Sequence, residues 1–163
     1  MIAWWSGRVR QFVRYLTGRV REPELAALRA WLTRPQLELF GAMHRADQRH
    51  GLDVVAVLRR AGHTDPDLLL AGLLHDAGKG RDLRLWHRVA WALADRYPRL
   101  APLVVRLPTF RSAFDTMAAH VERSAVLALA AGCTARTADL IRHRVEAVDE
   151  ELVLALRLAD EAS

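Results

Sequence analysis

The string Gly72-Leu73-Leu74-His75-Asp76-Ala77-Gly78-Lys79-Gly80 sets an imidazole and a carboxylate side by side at the end of an apolar run. Burying two such titratable groups without partners costs several kcal/mol. A divalent cation removes that cost, because imidazole nitrogen and carboxylate oxygen are both good ligands for borderline to hard metal ions. Neighbouring residues on a helix point about 100° apart. The pair can therefore hold one ion or bridge two, and it needs further ligands from other elements. Lys79 stands out for a separate reason: it is the only lysine among 24 basic residues, all the rest being arginine. A lysine kept so close to Asp76 implies that a compact ammonium is required there. Arg81 and Arg84 follow and extend it into an anion-binding rim.

The elements that must position these groups are helices. No run alternates convincingly enough for a strand, and helical periodicity dominates. A first helix is expected over residues 3 to 18, where Trp5, Val9, Phe12, Val13 and Leu16 form a stripe between arginines. It either docks on the core or lies on an anionic membrane surface or a partner. A short helix over 22 to 32 follows. Thr33 then reads as an N-cap and Pro35 as the first turn of a long third helix, 35 to 61, closed by Gly62. Asp65-Pro66 opens a Leu- and Ala-rich, buried fourth helix, 66 to 76, which stops at the two glycines flanking Lys79. Further helices are expected over 82 to 96, 113 to 131, 135 to 147 and 150 to 161, with 98 to 112 broken by prolines. The expected fold is all-α, a single-domain helical bundle. Residues 1 to 34 supply amphipathic helices packed on or extending the core, and 35 to 163 carry the chemistry.

The order of the polar residues resembles the HD superfamily of metal-dependent phosphohydrolases. In that family a histidine precedes the His-Asp pair in a context like Arg-His-x-Leu-x-Val, which Arg49-His50-Gly51-Leu52-Asp53-Val54 matches. A late aspartate sits in Leu-x-x-Ala-Asp, which Leu156-Arg157-Leu158-Ala159-Asp160 matches. Many members carry two more histidines between these, and His120 and His143 resemble them. The resemblance covers residues 40 to 163 and implies a helical domain of the HD type. It implies one or two divalent ions (Mn, Fe, Ni, Mg or Zn) held by His50, His75, Asp76, His120, His143 and Asp160. The implied activity is hydrolysis of a phosphate ester, in a nucleotide, by a metal-activated water. Asp76 would also orient the nucleophile, and Lys79 would contact a substrate phosphate.

His44 is the rival of His50, but six residues turn a helix by about 600°, so the two do not serve one centre. Asp53 and Asp139 share helix faces with His50 and His143 and are candidates to orient those rings, with Asp47 and Glu122 as alternatives. His63 and His87 read as surface or loop histidines, although His87 could reach a substrate. Two other readings use the same ligands: a di-iron oxygenase of the HD type, and a non-catalytic module that senses a nucleotide. The chain lacks the Gly-Tyr-Pro string of cyclic-di-GMP phosphodiesterases and the Glu-Asp that follows the pair in guanosine tetraphosphate hydrolases. Its ligand order is nearer to the small stand-alone branch that includes diadenosine tetraphosphate hydrolases.

Composition narrows the rest. A chain of 163 residues suits one ordinary domain, and a hydrophobic share of 52% argues against disorder. The net charge of +5 is spread along the chain, which suits a small anionic substrate and argues against nucleic-acid binding as the primary role. No uncharged apolar run reaches membrane-spanning length. Cys133 is the only cysteine, so no internal disulfide can form, and a reducing, cytoplasmic compartment is expected. If the chain pairs as a homodimer, Trp4, Trp5 and the first helix are the expected contact.

Overall fold

The structure is a computed structural model, and it describes residues 18–80, His87, 108–144 and 149–163. Among them are seven α-helices and one 3-10 turn, and no strand: α1 (Glu22–Arg29), α2 (Arg34–Ala42), α3 (Arg45–Arg60), α4 (Pro66–Leu74), the turn Ala77–Lys79, α5 (Pro108–Ala130), α6 (Ala135–Arg142) and α7 (Glu150–Ala162). The expected helices 3 to 18 and 82 to 96 lie outside the described residues, as do Arg81, Arg84 and the proposed dimer contact.

Local chemistry explains most of the boundaries. The Asp65 carboxylate accepts from the amides of Asp67 and Leu68 and caps α4. The Thr134 hydroxyl accepts from the Thr137 amide and caps α6. Proline stands in the first turn of α1, α2 and α4, where its missing N–H has no bond to lose.

Several expected boundaries are corrected. The long third helix is two helices, broken at Met43 and His44, whose backbones are extended. His44 caps α3, its Nδ1 accepting from the Ala46 amide at 3.2 Å, so the rival of His50 is spent on a helix end. The Gln48 side-chain amide donates to the carbonyls of Phe40 and Met43 at 3.1 Å each, satisfying the open end of α2. The second helix ends at Arg29 and the fourth at Leu74, where His75 turns the chain into the 3-10 segment. Helix α5 starts at Pro108 and absorbs part of the supposed proline-broken segment, since proline at a first position begins a helix as readily as it ends one. Helix α6 ends at Arg142, because His143 adopts a left-handed backbone with φ 56°.

Helix α4 is the centre of the body. It is apolar all round, with Leu68, Leu69, Ala71, Leu73 and Leu74 buried, and it packs against α3, α6 and α7. Phe40, Leu58, Leu140, Ile141 and Leu156 close the core from the surrounding helices, and Leu28 and Leu32 from the N-terminal part join the same cluster. Each such side chain contributes roughly 1.5–3 kcal/mol by leaving water. Helices α3 and α4 approach closely at Gly51, where a Cβ would land on the Leu73 carbonyl. That contact lies between His50 and His75, and it is what brings them together. No described helix is long and apolar enough to cross a membrane.

Candidate metal centre

Three helices present their C-terminal ends to one place. Their N-terminal ends are tied by Arg136, whose guanidinium donates to Asp65 at 2.8 Å, to Asp67 at 3.3 Å and to both oxygens of Asp149 at 2.8 and 2.9 Å. The Thr137 hydroxyl adds a bond to Asp67 at 2.6 Å. With those starts fixed, His75 caps the far end of α4, His143 caps the far end of α6, and Asp160 stands in the last turn of α7. A helix C-terminus carries roughly half a negative charge, so this meeting of ends favours a cation before any side chain is counted.

The side chains then converge. His50 Nε2, from α3, lies 2.7 Å from Asp160 Oδ1, and His75 Nε2 lies 3.4 Å from the same oxygen. His75 Nε2 is 3.6 Å from Asp76 Oδ1, and His120 Nε2, from α5, is 3.9 Å from it. The rings of His50 and His75 meet edge to face with centroids 5.2 Å apart. Two ligands of one ion, each about 2.0–2.2 Å from it, stand about 3–3.5 Å from one another. The His75–Asp160 separation falls in that range, whereas His50 and Asp160 stand at hydrogen-bond distance. One ligand atom each from His50, His75 and Asp160 can be chosen with all three within 4.8 Å of one another. Asp160 is half-exposed and marks the open side, whereas Asp76 is buried at 3% exposure and must have a cation beside it.

Two of the imidazoles, those of His75 and His120, are held by backbone carbonyls, and Asp53, Asp139 and Glu122 are paired with arginines instead. His75 Nδ1 bonds the Gly72 carbonyl at 3.0 Å, and His120 Nδ1 bonds the Met117 carbonyl. A carbonyl only accepts, so Nδ1 carries the proton in both rings and Nε2 is the atom left for a metal. Asp53 instead holds Arg49 at 3.0 Å, Asp139 faces Arg142 at 3.5 Å, and Glu122 also pairs with Arg142, at 2.7 Å. Their positions on shared helix faces were real, but a nearby guanidinium is the stronger partner. A backbone acceptor three residues back carries no side-chain signature, which is why the sequence does not reveal it.

The turn after α4 places Asp76 and Lys79 against α5. The Gly78 amide donates to the buried Ser124 hydroxyl at 2.8 Å. A Cβ at Gly78 would land on the His120 carbonyl and 2.7 Å from the Ser124 nitrogen, so only glycine fits under α5 here. Lys79 Nζ sits 2.5 Å from Asp76 Oδ2.

Charge follows from this packing. Burial alone would raise the Asp76 carboxyl, but Lys79, His75 and His50 hold it well below the usual carboxylate range. Burial likewise opposes Asp160, which hydrogen bonds from His50 and His75 keep ionised. Burial pulls the His75 imidazolium down, yet Asp76 and Asp160 outweigh it and push the group up to about 9. His120 is lowered, by burial first and with Lys79 acting in the same direction. Burial and then Arg157 lower His143.

Of the residues expected at the site, His50, His75, Asp76, Lys79, His120 and Asp160 are in direct contact or within 3.9 Å of another member. His143 sits at the edge, within electrostatic range of His75 and Asp160 but outside the closest group of ligand atoms. His87 is corrected from a surface position: it is buried, with its ring edge-on to Phe110 at 5.0 Å. No protein-family model, no curated protein and no solved structure matches the chain.

Proposed function

We propose that the protein is a metal-dependent phosphohydrolase of the HD type, acting on a nucleotide. The observation that carries the reading is the meeting of imidazoles from α3, α4 and α5 at two carboxylates, Asp76 and Asp160, with Nε2 of His75 and His120 turned inward. The order of these residues along the helices supports the HD type. The donor set fits a divalent ion by ligand chemistry: mixed imidazole and carboxylate suits Mn, Fe, Ni or Zn ahead of Mg.

A bound divalent ion supplies Lewis-acid activation of water and neutralises phosphoryl charge. The chain's own residues do the rest. His50, His75, Asp76 and Asp160 would hold the ion, and the carbonyls of Gly72 and Met117 keep the rings of His75 and His120 in position. Asp76, fixed by Lys79, orients the nucleophile. Lys79 offsets the negative charge that builds on the phosphoryl oxygens. The half-exposed face at Asp160 admits the substrate.

The test is phosphate release from a panel of nucleotides with Mn, Fe, Ni or Mg added in turn, for wild type and Asp76→Ala. Release that needs metal and vanishes in the variant is the expected result. Equal release by the variant would overturn the reading. Silence in every combination, with metal bound, would point to the oxygenase or to a sensing module.

A further inference from the structure

Helix α7 is apolar on two sides. Successive residues turn by about 100°, so Val153, Leu156 and Ala159 face inward and are buried, while Leu154 and Leu158 stand on the opposite side. These two leucines, 58% and 57% exposed, are the most exposed large apolar side chains among the described residues. One turn apart, they form a strip toward solvent, and a helix apolar on both sides calls for a partner on each.

Acidic groups bracket the strip. Glu151 precedes Leu154 by three residues and Glu161 follows Leu158 by three, so both share its side of the helix. Both are exposed, and no ion pair or hydrogen bond among the described residues holds either carboxylate. A partner that fits this face is apolar along its centre and carries positive charge beside it.

The start of the chain has that chemistry. Residues 1–17 lie outside the described residues. The first 21 residues contain five arginines and no acidic residue, and Arg8, Arg10 and Arg14 alternate with the apolar stripe that runs from Trp5 to Leu16. The point where this segment joins the described chain is close to α7. Glu24, in the first turn of α1, pairs with Arg49 at 2.6 Å, and the next residue, His50, meets Asp160 in the last turn of α7 at 2.7 Å. As a helix, 17 residues span about 25 Å, against about 20 Å for the 13 residues of α7. The segment is therefore long enough to cover the strip.

We propose that residues 3 to 16 dock on the outer face of α7, their apolar stripe against Leu154 and Leu158 and their arginines against Glu151 and Glu161. Tethering gives this segment a high effective concentration at the face, which a second copy of the chain lacks. An anionic membrane would attract the same arginines but be repelled by the carboxylates that bracket the strip. The docking needs neither metal ion nor substrate, so it stands or falls apart from the metal-centre reading.

The experiment is limited digestion of the full chain with an arginine-specific protease, with cleavage after Arg8, Arg10 and Arg14 followed by mass spectrometry. Wild type is compared with Leu154→Gln/Leu158→Gln, with Glu151→Gln/Glu161→Gln, and with Val126→Gln/Leu129→Gln, a control at the exposed apolar pair of α5. All of these side chains are exposed, and circular dichroism confirms that helical content is kept. Wild type is expected to be cut slowly, and the leucine variant roughly tenfold faster, because cleavage follows the population of the undocked segment. The glutamate variant should be cut a few-fold faster and the control at the wild-type rate. Equal rates in wild type and the leucine variant would overturn the proposal. Equal acceleration by the control would do the same, since the effect would then not belong to α7. A glutamate variant cut at the wild-type rate would overturn the charge pairing that selects this occupant. Protection should not depend on protein concentration, and its loss on dilution would give the strip to a second copy and overturn docking within one chain. Wild type should stay off vesicles containing phosphatidylserine, and flotation with them as readily as the leucine variant would assign the segment to a membrane instead.

Discussion

At the scale of single residues, the chemistry depends on small asymmetries between like groups. His75 and His120 both bond Nδ1 to a carbonyl three residues earlier, so both present Nε2, although one caps a helix and the other sits inside one. His143 is different. It holds a left-handed backbone at φ 56°, a conformation that costs a non-glycine residue about 1–2 kcal/mol. The usual residue at such a helix end is glycine. The His143 imidazole lies within electrostatic reach of His75 and Asp160. His143→Gly is therefore expected to raise the stability of the metal-free protein by about 1 kcal/mol in urea unfolding while lowering phosphate release. Lower stability would show that the imidazole makes packing contacts outweighing the backbone cost.

At the scale of elements, close approach of backbones matters more than any single contact. Gly51 lets α3 lie against Leu73 of α4, and Gly78 lets the turn lie against α5. Both glycines lie beside candidate ligands, so the same contacts that pack the helices set the spacing of those side chains. Gly78→Ala is expected to destabilise the fold by about 1–3 kcal/mol and to move His120 away from Asp76. The check is a paired measurement of urea midpoint and of metal-dependent phosphate release, both of which should fall. An unchanged midpoint would mean that the turn shifts freely and that its seat on α5 is not what holds Asp76. The break at Met43 and His44 belongs to this scale too. Apolar periodicity runs smoothly through 35 to 61, and only the capping by His44 and the reach of Gln48 back to the carbonyls of α2 stop it.

At the scale of the whole molecule, the site and its anchor sit at opposite ends of the same helices. Arg136 gathers Asp65, Asp67 and Asp149 at the starts of α4 and α7, and His75 and Asp160 stand where those helices finish. Burial would raise the Asp67 carboxyl, but the hydroxyls of Thr134 and Thr137 and the Arg136 guanidinium hold it below its ordinary 3.8. Because its folded value lies below its unfolded one, its contribution to stability is present above about pH 4 and is lost as pH falls through the folded value. Thermal melts of the protein from about pH 6 down to about pH 3 should show this acid loss. Arg136→Met should lower the melting temperature at pH 6 and flatten the acid limb, since the carboxylates then face one another without a cation. A variant with an unaltered melting curve would show that the clamp does not set the alignment of these helices.

Much of this is legible in the amino-acid sequence. Helical periodicity announced an all-helical chain, and a leucine-rich run ending in His-Asp announced both the central helix and the polar pair it delivers. His50, His120 and Asp160 could be named as partners, since family resemblance follows residue type and order. What the sequence alone could not decide were matters of partner choice in space. Asp53 and Asp139 stand on the right faces for orienting histidines, but arginines reach them first. The groups that hold His75 and His120 are backbone carbonyls, which every residue possesses. The sequence by itself determined which groups are charged and that helices make up the fold, because hydrophobic period and composition are local properties. Only the tertiary structure decided which oxygen of Asp76 faces a histidine and which faces Lys79, because that depends on helices meeting at two glycines far apart in the chain.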